Sequence, residues 1–194
     1  MHSASTTAQS LSAGHSTLVR RGVLAVLGSL LVAICAHVSI PLWFTPVPVT
    51  LQTFAVLFLG LVLDPATSAA SMILYLGEGM AGLPVFSPNP VGGMLHILGP
   101  TGGYLMAYPA AAALTGLLRR RMGVGFGISM AAAAAGSLLI LLAGAAWFSV
   151  LTHQDPGTVL ALTVVPFLPG DILKLIASAG AAAGLRRWRR FHAL

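Results

Sequence analysis

Two ionisable side chains stand three residues apart in a greasy stretch. The segment FLPGDILKLI, residues 167–176, carries Asp171 and Lys174, the only lysine of the chain. At i and i+3 the two share one face of a helix. Charged groups within a membrane segment are costly and usually face the bundle interior or a wet cavity. A cation there would attract a carboxylate, and an aspartate would accept N–H bonds from the polar head of a ligand. The plainer alternative has Asp171 capping the helix after Pro169-Gly170 while Lys174 snorkels outward.

Other residues could serve the same chemistry. Gln52, in VPVTLQTF, is an isolated amide with both donor and acceptor capacity; it suits either a proline-rich backbone entry or a ligand. A long Gly/Pro-rich stretch, GEGMAGLPVFSPNPVGGMLHILGP, holds Asn89, Gly93 and His96 and leads into GPTGGYLMAY with Tyr104. It is longer than a connector needs, which favours a lid or binding loop over a simple turn. Tyr104 suits stacking on a small ring or anchoring at a membrane interface. Ala25, Ser29 and Ala33, spaced by four, form a small-residue row that lets helices approach closely, whether the partner is in the same bundle or in a second protein.

Several chemistries lack their residues. The chain has no GxxxxGK[ST], HExxH or GxSxG sequence, so phosphate-loop ATP hydrolysis, zinc proteolysis and nucleophile-elbow acyl transfer have no carrier. Its four acids (Asp64, Glu78, Asp155, Asp171) are too few and scattered for a metal cage, and Cys35 has no cysteine partner. An intramembrane enzyme built on Asp171, Lys174 and His96 would lack a nucleophile or metal set. No cofactor is expected.

The elements that must position these residues follow from composition. Of 194 residues, 57% are hydrophobic and 7% charged, and mean hydropathy is +0.91. Such a chain cannot cover itself with polar surface, so an all-α integral membrane protein is expected. The net charge of +6 does not imply nucleic acid, because the basic residues lie in short clusters between apolar runs. Six spans are read: 22–40, 50–63, 65–76 or beyond, 101–118 with Pro109 as a kink, 124–151 and 171–185. The Asp64-Pro65 pair reads as an N-cap with proline at the first helical position. The apolar 158–167 segment is too short to span and reads as an extracytoplasmic interfacial or re-entrant piece between spans five and six. Residues 1–19, rich in Ser, Thr and Ala, read as a disordered cytoplasmic tail, and 20–194 as the membrane domain.

Six spans place all nine arginines (Arg20-Arg21, Arg119 to Arg121, Arg186-Arg187, Arg189-Arg190) on one side and leave the other loops without Lys or Arg. By the positive-inside rule both termini are cytoplasmic. Gln52, the long loop and the start of FLPGDILK then face outward together.

In order, PVPVTLQTFAVLFLGLVLDP, YLGEGMAGLPVFSPNPVGG, LGPTGGYLMAY and PFLPGDILK resemble the BioY family, the substrate-capture (S) components of energy-coupling-factor (ECF) biotin transporters. The resemblance covers all but the N-terminal tail. It implies a six-helix bundle in the bacterial inner membrane. It also implies biotin capture from outside without covalent chemistry, and partnership with a transmembrane coupling protein and two ATPase subunits. Carried over by motif, the biotin site would comprise Gln52, Val85, Phe86, Asn89, Gly93, Tyr104, Asp171 and Lys174. Ala25, Ser29 and Ala33 would form the docking face. A self-sufficient biotin carrier is the alternative.

Overall fold

The structure, a computed structural model, describes residues 2–86, 93–123 and 125–192, with side chains from Ser16 onward. It is built almost wholly of helices: α1 (His2–His37), α2 (Gln52–Val62), α3 (Pro65–Met80), α4 (Met94–Leu98), α5 (Gly102–Met122), α6 (Phe126–Thr152), α7 (Pro156–Thr163) and α8 (Leu168–Phe191). The backbone of residues 2–19 runs on from the first helix. Once the apolar part has nucleated a helix, extending it through Ala, Gln, Leu and Ser costs little. Among the described residues three segments are long and apolar enough to cross a membrane: Ser16–His37, Phe126–Thr152 and Pro156–Phe191.

After His37 the chain enters PLWFTPVP, where three prolines forbid a helix. It forms instead a small hairpin of β1 (Ser39–Ile40) and β2 (Val49–Thr50), with Ser39 opposite Thr50 and Ile40 opposite Val49. Helix α2 therefore starts late. Its 11 residues extend about 16 Å, against a hydrocarbon thickness of about 30 Å. Asp64 caps α3 as expected, accepting from the Thr67 amide at 3.2 Å and the Thr67 hydroxyl at 2.6 Å. Pro109 lies inside a continuous α5.

The stretch expected to lie outside spans five and six folds as α7, a 3-10 turn over Val165–Phe167, and the first turn of α8. The eight-residue α7 is only about 12 Å long. It packs through Val159 on Phe148 and Ala145 of α6. Its N-cap, Asp155, accepts from the Thr158 amide at 3.0 Å.

Helices α5 and α6 approach closely because small residues face each other: Gly136 of α6 lies against Thr115 and the Ala111 carbonyl of α5. Val32, Val56, Met72, Tyr75 and Ala111 form the core between α1, α2, α3 and α5. Large apolar side chains on the outer faces, among them Leu30, Ile34, Leu138, Leu142, Ile172 and Leu173, are exposed, as a lipid-facing surface requires. The arginine clusters gather at one end of the bundle. Arg21 acts on Asp64 at the α2–α3 turn, Pro65 of that turn abuts Gly116 of α5, and Arg119 lies near Arg186.

Candidate functional site

The late start of α2 leaves room above it, and the cavity lies there. Its wall is drawn from the hairpin (Val47, Pro48), the start of α2 (Gln52, Thr53), α5 (Tyr104, Tyr108), α6 (Ile140, Leu141) and the start of α8 (Asp171, Lys174). The cavity, partly open to the outside, holds about 560 Å³ free of atoms.

Asp171 and Lys174 point into it. Helix α8 begins at Leu168, so Asp171 sits within the first turn and caps nothing. Its side chain accepts the hydroxyl hydrogen of Ser137, near the midpoint of α6, and Lys174 Nζ lies 3.4 Å from its other oxygen. Lys174 is 9% exposed; it does not snorkel. The ion pair uses one of the three ammonium donors, so the lysine retains capacity for an anion in the cavity.

Gln52 is held at both ends of its amide. Its Nε2 donates to the Tyr75 hydroxyl at 2.5 Å, and its Oε1 accepts from Thr50 at 3.0 Å and Tyr108 at 3.3 Å. Tyr75 passes its own proton to the Val85 carbonyl at 3.1 Å. The amide thus has a fixed orientation with one N–H left over. Tyr104 donates to the Thr163 carbonyl at 2.6 Å and meets Phe167 edge-on at 6.1 Å. Its ring lies against the Cα of Gly144, where any Cβ would strike it.

Of the remaining sequence-derived residues, His96 also lines the cavity. Phe86 is buried behind Tyr75 and stacks on His96 at 5.0 Å; Val85 contributes its carbonyl to the Tyr75 network. Neither lines the cavity. Gly93, at φ 68°, starts α4 in a conformation that favours glycine, and it too lies outside the lining. Asn89 falls outside the described residues. Ser29 and Ala33 are 1% and 6% exposed, and Ser29 donates to Glu78 of α3 at 3.1 Å. Ser29 therefore takes part in the contact between α1 and α3. Ala25 alone of the three keeps partial exposure.

Sequence reasoning missed Ser137, Tyr75 and Tyr108. A serine in an alanine-rich helix carries no signal, and the two tyrosines read as ordinary apolar positions. The i, i+4 relation of Tyr104 and Tyr108 on one face of α5 is the one pattern that could have found the second of them. Among the described residues no cluster of His, Cys, Asp or Glu could hold a metal.

A pocket with a cation, an acceptor, an oriented amide and aromatic walls, set in a bundle with an apolar exterior, suits an integral membrane protein that handles a small molecule with polar ends and an apolar body. A family model described as "BioY family" matches residues 4–191; the chain belongs to the BioY family. It is 37% identical over 144 residues to the probable biotin transporter BioY of Pyrococcus horikoshii, covering 74% of this chain and 82% of that protein. It is 33% identical over 170 residues to the biotin transporter BioY of Thermotoga maritima, covering 88% and 95%. The fold matches the crystal structure of the S-component for biotin from an ECF-type ABC transporter, with a TM-score of 0.81, 26% identity, and coverage of 89% of this chain and 93% of that one. These comparisons place the chain with transport proteins and not with enzymes.

Proposed function

We propose that this chain is the biotin-capturing S component of an ECF-type uptake transporter. It spans the bacterial inner membrane six times with both termini cytoplasmic and takes biotin from the outer side. One observation carries the reading: Gln52, Tyr104, Asp171 and Lys174, distant in sequence, meet at one cavity. Biotin presents a ureido group, an apolar bicycle and a carboxylate. Asp171 accepts ureido N–H bonds, the spare N–H of Gln52 reaches an acceptor, and Lys174 attracts the carboxylate. Val47, Ile140, Leu141 and the Tyr104 ring receive the apolar body.

Movement across the membrane requires energy from elsewhere, since the chain has no phosphate-binding loop. A transmembrane coupling protein with two ATPase subunits supplies it in this reading. Equilibrium binding of labelled biotin to the purified chain, to Asp171→Asn and to Lys174→Ala tests the site. Tight binding by the wild type and loss in both variants is expected. A wild type that binds none would end the assignment, and equal binding by all three would remove the pair from the site.

A further inference from the structure

Helix α4 buries its polar residue and exposes its apolar ones. Met94, Leu95 and Leu98 are exposed, whereas His96 is buried beside Ile97. Apolar side chains facing outward suit a surface that meets lipid. An imidazole facing inward needs another reason, since burying a polar ring costs free energy unless it gains partners. Gly93, at φ 68°, makes the turn that starts the helix, and the His96 ring stacks on Phe86 at 5.0 Å.

This ring forms part of the cavity wall. It comes from a different side than the ion pair: α4 packs on α3 and α5, whereas α8, with Asp171 and Lys174, packs on α2 and α6. Its polar companion there is the Gln52 amide. Phe86 meets Tyr75 edge-on at 5.5 Å, and the Tyr75 hydroxyl accepts one N–H of Gln52 at 2.5 Å. One aromatic pair thus backs both His96 and Gln52, and both line the same space.

We propose that His96 is a further ligand-contacting residue, which joins Gln52 in holding the ureido carbonyl oxygen of the ligand. The assignment rests on the reading of the cavity as a biotin site. In that reading Asp171 takes ureido N–H groups and Lys174 the carboxylate. The carbonyl oxygen has two lone pairs and is left with the single spare N–H of Gln52. An imidazole N–H supplies the second donor.

Affinities of the wild type, His96→Phe and His96→Gln are measured for biotin, for its methyl ester and for 2-iminobiotin, in which nitrogen replaces the carbonyl oxygen. Phenylalanine keeps a ring on Phe86 and deletes the donor. It should weaken biotin and the ester alike, about tenfold, and 2-iminobiotin by less than about threefold. His96→Gln, which retains an N–H, should keep most of the wild-type preference for oxygen. A packing defect would lower all three affinities together. Unchanged biotin binding by His96→Phe, or equal loss for all three ligands, overturns the proposal. A wild type that binds no biotin overturns the underlying reading with it.

If His96→Phe does not fold, labelling of the wild type with diethyl pyrocarbonate, mapped by mass spectrometry, decides. Biotin should slow modification of His96 and leave that of the exposed His153 unchanged. A His96 ring that is never labelled, or is labelled equally with biotin present, overturns the proposal.

Discussion

Ser137 of α6 donates to Asp171 of α8, which fixes the carboxylate at mid-bundle before any ligand arrives. The contact explains how an aspartate is kept in an apolar helix: one oxygen takes the serine, the other faces Lys174. Ser137→Ala leaves that oxygen without its donor. A hydrogen bond to a charged group contributes about 1.5–3 kcal/mol, so the melting temperature should fall, and biotin affinity should drop at least tenfold as the carboxylate loses its orientation. Calorimetric melting and labelled-biotin binding measure both; a variant matching wild type in both would show that the contact is idle.

Removing one partner of a buried ion pair costs about 3–5 kcal/mol, whereas replacing both with apolar groups of similar volume is often neutral. Asp171→Leu and Lys174→Met should each destabilise the chain, and the double variant should recover most of the lost stability. Biotin binding should stay absent in all three. Recovery of binding together with stability would mean that the pair serves the fold alone.

Tyr75 does not line the cavity, yet it clamps the Gln52 amide. Tyr75→Phe keeps the ring on Phe86 and deletes the hydroxyl. The amide is then free to turn, and affinity should fall about tenfold, equivalent to roughly 1.4 kcal/mol, with a lower melting temperature because the Val85 carbonyl loses its buried donor. Gln52→Ala in the Tyr75→Phe background should add less than it does alone, because the two act through one contact. Additive losses would count against the clamp.

Gly144 gives Tyr104 its place, and a Cβ there must displace the ring. Gly144→Ala should weaken biotin binding, while Gly180→Ala, at a position open to space, should leave it unchanged. Competition binding on the two variants makes the comparison. Equal affinities would show that the ring can move without consequence.

Ser29 tests what the small-residue face of α1 does. It is buried against α3 and bonded to Glu78. Ser29→Leu should lower the melting temperature of the isolated chain, since overpacking a close contact costs about 1–3 kcal/mol. An unchanged melt combined with lost assembly would return this row to a docking role.

Much of this architecture could be read from residue types. Asp64 before Pro65 announces a capped helix, and the loops without Lys or Arg let Gln52, Tyr104, Asp171 and Lys174 be read onto one side. What the sequence could not convey is packing. Val85 and Phe86 are apolar residues in a distinctive motif, but apolar type does not distinguish a cavity wall from the layer behind it; Tyr75 stands between. The Ala25, Ser29, Ala33 row announces close approach without naming a partner; Ser29 meets Glu78 of α3. Ser137 is 34 positions from Asp171, and only the shortness of α2 and the entry of α8 bring them level. The alternative role of Asp171 as a cap is not taken up because Leu168 and Pro169 already lie in the helix, proline being well tolerated in a first turn.

The hairpin between α1 and α2 is pinned by Thr45, whose hydroxyl donates to the Leu162 carbonyl of α7 at 2.9 Å, and its Val47 and Pro48 form part of the cavity wall. One side-chain bond thus ties the hairpin to α7, so a shift of either segment is transmitted to the shape of that wall.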